Sequence, residues 1–205
     1  MTISEATVFI VDDDCAVRDS LMLMIEQEGI KVQTYSNAED FLNACHKDTF
    51  GCTVLDIRMP GMDGMQLQQE LNRREIKLPI IFLTGHGDIP LSVKAVKAGA
   101  VDFLTKPVTR ENLLQSVRSA ILESQRLVTQ LANGQDAKSK LAELTERERE
   151  VMALAVAGSP NKEIARRLGI SHRTVEIHKS KIMHKTGASN LLDLARIANE
   201  GRLFE

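Results

Sequence analysis

Short apolar runs and helical repeats alternate over the first half of the chain. Val8–Val11, Lys31–Tyr35, Thr53–Leu55, Ile80–Leu83 and Val101–Leu104 are brief, mostly rich in Val, Ile, Leu and Phe, and most are bounded by Gly, Pro or Asp. Such runs predict strands. Between them, Ala16–Glu28, Ala38–Cys45, Met65–Arg74 and Pro90–Ala98 carry apolar residues at helical spacing. Gly29 and Gly99 are placed as helix stops, and Pro90 suits a first turn. A fifth helix begins near Arg110. Five strand–helix units predict a (βα)5 doubly wound parallel sheet, covered on both faces because each crossover lays a helix over it.

Leu114, Val117 and Ile121 extend the fifth helical repeat, and Val128 and Leu131 continue it beyond Ser124. The earlier residues read as the packed face of their own domain. The later two read as a helical linker or a dimer seam. Asn133-Gly134-Gln135-Asp136 then predicts a break, with a polar hinge to Lys140. From Leu141 the period is helical only. Thr145-Glu146-Arg147-Glu148 has the form of a capping box, opening a helix to about Ala157 with Gly158 as its stop. Ser159-Pro160 restarts a short helix ending near Gly169. Gly169-Ile170-Ser171 predicts a tight turn into a helix reaching about Lys185, and a last helix covers Leu191–Asn199. The expected division is a domain over 1–122, a linker and hinge over 123–140, and an all-α four-helix domain over 141–205.

Charge divides along the same line. The chain carries a formal charge of −2, but residues 1–140 hold 15 Lys and Arg against 19 Asp and Glu, whereas residues 141–205 hold 11 against 9. Lys162, Arg166, Arg167, Arg173, Lys179, Lys181 and Lys185 crowd one short stretch, which suits a polyanionic partner. Cys15, Cys45 and Cys52 have no metal or redox spacing, so buried free thiols in a reducing compartment are expected. No apolar run approaches the roughly 20 residues of a membrane helix. Acidic residues follow Ser4 almost at once, so no signal peptide is expected, and a cytoplasmic protein without membrane contact is expected.

Polar residues of one chemistry fall at the ends of the predicted strands. Asp12, Asp13 and Asp14 follow the first, Asp56 ends the third, Thr84 the fourth, and Lys106 follows the fifth. Doubly wound sheets bind ligands outside these carboxyl ends. In the order 2-1-3-4-5, Asp12 and Asp13 lie beside Asp56, with Thr84 and Lys106 on the other flank. Carboxylates so grouped repel unless a cation joins them, and Mg²⁺ prefers a few carboxylates plus waters. One carboxylate can then attack phosphorus while the ammonium and hydroxyl meet the phosphoryl oxygens.

Val11-Asp12-Asp13-Asp14, Leu55-Asp56-Ile57-Arg58-Met59-Pro60-Gly61-Met62-Asp63-Gly64, Thr84-Gly85-His86 and Lys106-Pro107 together resemble the flavodoxin-like receiver domain of two-component response regulators. The stretches Gly85–Pro90 and Gly99–Phe103 are most similar to its FixJ-like branch. The resemblance implies that Asp56 accepts phosphate from a sensor histidine kinase. It implies Mg²⁺ bound by Asp13, Asp56 and the backbone carbonyl of Arg58, with Asp12 assisting. Thr84 and Phe103 would be switch residues, Lys106 would pair with phosphate, and Lys106–Pro107 would be cis. Ile89, Leu91, Val93, Lys94 and Lys97 would offer the surface through which the phosphorylated form dimerises.

Lys162–Leu168, a Gly turn and His172–Lys185 have the form of a helix-turn-helix, with Val175 and Ile182 facing a core and Met183 a further candidate. Arg173, Thr174, Glu176, Ile177, Lys179, Ser180 and Lys181 then face outward, able to meet bases and phosphates. Leu144–Glu148, Asn161–Ala165 and Ser171–Lys185, with Thr174-Val175 and His178, resemble the LuxR-type domain of the same regulators, which adds Asn161 and Lys162 to the candidate DNA contacts. Glu176 departs from the basic residue common at that position. It can accept from cytosine N4, or simply pair with Arg173 or Lys179.

The expected function is phosphorylation-controlled transcription regulation. Its partners would be the kinase, promoter half-sites in double-stranded DNA, a second copy of the chain, and RNA polymerase as a further candidate. No enzyme is expected: a phosphatase-like relative would place an acid/base carboxylate two residues after the nucleophile, where Arg58 stands. The alternative is a DNA-binding regulator whose receiver is controlled by protein contact.

Overall fold

The computed structural model describes residues 5–85, 99–201 and 203. The predicted helix Pro90–Ala98 and the candidate dimer residues Ile89, Leu91, Val93, Lys94 and Lys97 lie outside the described residues. The chain divides between Val128 and Thr129 into two compact units. Among the described residues, no helix is long and apolar enough to cross a membrane.

The first unit is a five-stranded parallel sheet in the order β2-β1-β3-β4-β5. Its strands are β1 (Thr7–Val11), β2 (Lys31–Tyr35), β3 (Gly51–Asp56), β4 (Ile80–Thr84) and β5 (Asp102–Thr105). Described helices are numbered in chain order: α1 (Cys15–Glu26), α2 (Ala38–Ala44), α3 (Gly64–Arg73) and α4 (Arg110–Ala142) belong to or begin in this unit. The two-residue alternation of a strand explains the layering. On β1, Phe9 and Val11 enter a core with Phe41 and Leu42 of α2 and Leu67 and Leu71 of α3. Val8 and Ile10 enter a second core with Leu21 and Ile25 of α1 and Leu113, Val117 and Ile121 of α4. Every residue of β3 is buried, as a central strand covered on both faces requires.

The predicted break at Asn133 to Asp136 is absent, because α4 runs unbroken from Arg110 to Ala142. A helix interior tolerates one glycine at a cost of about 1 kcal/mol. Here Asp136 and Lys140 form an ion pair one turn apart, and Ala137 and Leu141 pack into the core of the second unit. Val128 is half-buried and Leu131 is exposed.

In the second unit, α5 (Glu146–Val156), α6 (Asn161–Leu168), α7 (His172–Thr186) and α8 (Leu191–Glu200) match the four predicted helices to within two residues at each end. Thr145 and Glu148 form the expected capping box. Val151, Met152, Ile164, Val175, Ile182, Leu194 and Ile197 build the core. Cys45 and Cys52 are buried thiols. Cys15 is exposed, contrary to expectation, because it stands at the first position of α1 beside the capping residue Asp14.

Candidate functional site

Strand register builds the acidic pocket. Val11 pairs with Leu55, so Asp12 and Asp56 are the next residues on adjacent strands. Asp56 pairs with Leu83 and Thr84 with Thr105, placing Thr84 and Lys106 on the same rim. Carboxylate oxygens of Asp12, Asp13 and Asp56 lie within 4.8 Å of one another, the one such metal-compatible group among the described residues. An octahedral Mg²⁺ with ligands at about 2.0–2.1 Å separates its ligand oxygens by about 3–4 Å, so this hard oxygen set fits that ion after small side-chain adjustments.

Lys106 partly neutralises the pocket. Its Nζ donates to Asp12 Oδ2 at 2.7 Å and lies 3.2 Å from Asp56 Oδ2. Burial draws its pKa down, but the bond to Asp12 and the charges of Asp12 and Asp56 outweigh this and leave it raised. Burial pushes the Asp56 carboxyl up. Lys106 opposes that shift, Asp12 reinforces it, and the Arg58 N–H donates to the carboxylate. Asp12 and Thr84 are each 1% exposed, whereas Asp13 faces solvent. Lys106–Pro107 is cis. Phe103, half-buried, packs against the core beneath the α2–α3 face.

Several further residues support the pocket. Asp14 caps α1, and its N–H donates to Asp12 Oδ1 at 3.0 Å. Arg18, one turn into α1, donates from its guanidinium to the Asp12 carbonyl at 2.7 Å. Gly64, at the start of α3, lies so close to the end of β3 that a Cβ would stand 2.4 Å from the Asp56 carbonyl oxygen. Ser116 donates to Asp102, whose other oxygen accepts the Phe103 N–H. Gly64 had a sequence signal as the last residue of the long motif after Asp56, and Asp14 as the third aspartate after β1, whereas Arg18 and Ser116 had none.

On the helical unit, Val175 and Ile182 are buried and Met183 is half-buried. Arg173, Glu176, Ile177, Ser180, Lys181 and Lys162 are exposed, and Thr174 is half-buried. Lys179 Nζ donates to Asn161 Oδ1 at 3.0 Å, so these two candidates form one group linking α6 to α7. The partner of Glu176 is neither Arg173 nor Lys179. His172 Nδ1 lies 3.6 Å from it, one turn back on the same helix. Ser171 caps α7 and Gly169 turns with φ +66°. Beneath this surface the buried Glu148 carboxylate takes a 2.7 Å bond from Lys185 as well as the Thr145 N–H, which together hold it down at about 2.

Residues 8–118 match the response regulator receiver domain, and residues 142–198 match the luxR family of bacterial regulatory proteins. The transcriptional regulatory protein FixJ of Bradyrhizobium diazoefficiens is 41% identical over 93% of this chain and 93% of its own length. TdiR of Thauera aromatica is 44% identical over 96% of this chain and 86% of its own. The structure of the response regulator StyR is similar with a TM-score of 0.78 at 37% identity, covering 95% of this chain and 98% of that one.

Proposed function

Because the chain belongs to the response regulators that join a receiver to a LuxR-type DNA-binding domain, we propose that Asp56 is its phosphoacceptor and that phosphorylation there controls DNA binding. The observation that carries this reading is the shared rim of Asp12, Asp56, Thr84 and Lys106, set by strand register. Asp13, Asp56 and the Arg58 carbonyl would hold Mg²⁺, with Asp12 assisting; when bound, it supplies neutralisation of the phosphoryl oxygens.

An Asp56 carboxylate oxygen attacks phosphorus, forming the acyl phosphate as the bond to the donor's imidazole nitrogen breaks. The ammonium of Lys106, now shared between Asp12 and Asp56, gains a third acceptor in the phosphoryl group. The Thr84 hydroxyl donates to another phosphoryl oxygen, and Phe103 follows it inward. Ile89, Leu91, Val93, Lys94 and Lys97 form the surface that dimerises in response. Residues 1–122 carry the receiver function and 141–205 the DNA binding, joined through 123–140. Arg173, Thr174, Glu176, Ser180 and Lys181, with Lys162 and the Asn161–Lys179 pair, meet the duplex. Two copies would occupy promoter half-sites, with RNA polymerase as a further partner in the cytoplasm.

Intact-mass spectrometry after incubation with acetyl phosphate tests the reading. One phosphoryl group added only with Mg²⁺, and absent in Asp56→Ala, is expected. DNA binding that ignores both the donor and this variant would point instead to control by protein contact.

A further inference from the structure

Asp12 is held from four directions. Its N–H donates to the Tyr35 carbonyl at 3.2 Å. Its Oδ1 accepts the Asp14 N–H and its Oδ2 accepts Lys106. The fourth bond comes from α1 itself: Arg18 Nη1 donates to the Asp12 carbonyl at 2.7 Å. That carbonyl starts the turn from β1 into α1, and this turn carries Asp13. Arg18 is half-buried and so is its bond, which is thereby partly sheltered from competition with bulk water.

We infer that Arg18 is a positioning residue for the cation site: it fixes the turn so that Asp13 is presented toward Asp56. The inference rests on the reading of Asp13 and Asp56 as Mg²⁺ ligands. Two physical effects of Arg18 oppose each other and can be separated. A positive charge one hydrogen bond from the Asp12 backbone disfavours a further cation at the neighbouring carboxylates. A bond that preorganises a ligand turn favours one, because less ordering remains at binding.

Arg18→Met removes both charge and donor at similar length, while Arg18→Lys keeps a charge and one donor. Calorimetric titration of Mg²⁺ into the full chain distinguishes the effects, with folding of each variant checked by circular dichroism. Weakening by about tenfold in Arg18→Met, with most of it restored in Arg18→Lys, is the expected result. The acetyl phosphate reaction of Arg18→Met should also slow at low Mg²⁺ and recover at saturating Mg²⁺, which damage unrelated to the cation site would not do. Unchanged or tighter binding in Arg18→Met overturns the inference, the tighter case meaning that Arg18 acts as a charge alone. If the unmodified chain binds no Mg²⁺, or Asp13→Asn binds it equally well, the reading of the ligand set fails and this inference fails with it.

Discussion

Lys106 stands 2.7 Å from Asp12 but 3.2 Å from Asp56, so its ammonium is bonded most closely to the carboxylate that is not the proposed nucleophile. Two nearly buried acids therefore share one cation. Lys106→Met should leave them uncompensated and destabilise the first unit by about 2 kcal/mol, less than for a fully buried pair because Lys106 remains partly solvated. Mg²⁺ should then raise the melting temperature of the variant more than that of the original chain. Equal Mg²⁺ responses in a melting experiment would refute this account.

Gly64 leaves no room for a side chain, since its Cβ would stand 2.4 Å from the Asp56 carbonyl oxygen and 3.0 Å from the Ile57 Cα. Both are backbone atoms and cannot rotate away. Gly64→Ala should cost about 1–3 kcal/mol in urea denaturation and slow acetyl phosphate labelling of Asp56, because relief of the clash displaces the end of β3.

Glu148 makes stability pH-dependent in the second unit. Its pKa is lowered on folding from about 4.5 to about 2, so the folded state favours the ionised form. The stabilisation is complete above the unfolded pKa and is lost as pH falls from about 4.5 through about 2. Acid melts followed by helical circular dichroism should show this loss. Glu148→Gln, which cannot ionise, should be less stable at neutral pH and flatter across that window.

Gly134 lies within α4, and a Cβ there would meet only the Glu200 carbonyl oxygen at 3.5 Å, an ordinary contact. Gly134→Ala should therefore stabilise the chain by about 0.5–1 kcal/mol in thermal melts. If the variant instead loses phosphorylation-dependent DNA binding, the glycine is required as a point of unwinding.

On DNA, charge and base reading should separate. Lys181→Ala should weaken all sequences alike and reduce the salt slope by about 1. Glu176→Gln should change the preferred base at one position, by about 1–3 kcal/mol of discrimination. Binding to a randomised half-site library at two salt concentrations measures both.

The strands and the polar residues at their ends were legible because they follow from periodicity and from polar residues placed directly after apolar runs, while the order 2-1-3-4-5 came from the doubly wound fold class rather than from the pattern itself. Asp12, Asp56, Thr84 and Lys106 needed only strand ends and topology. Arg18 and Ser116 were not legible, since each acts through a bond whose partner is fixed by side-chain direction rather than by spacing. The same limit applied to Glu176, because side-chain direction on the helix, not spacing alone, brings His172 to 3.6 Å from it. Asn133 to Asp136 misled for a different reason. Turn residues predict a break only where nothing else sustains the helix, and here Ala137 and Leu141 are anchored in a core.

The pairing of Val11 with Leu55 has one more consequence. A strand that slips by one residue exchanges its two faces, which would drive Phe9 and Val11 into the core built for Val8 and Ile10. The same slip would carry Asp12 away from Asp56. Fidelity of the chemistry is thus underwritten by the whole apolar interior: the pocket cannot drift out of alignment while the sheet survives, and an error in one is an error in both.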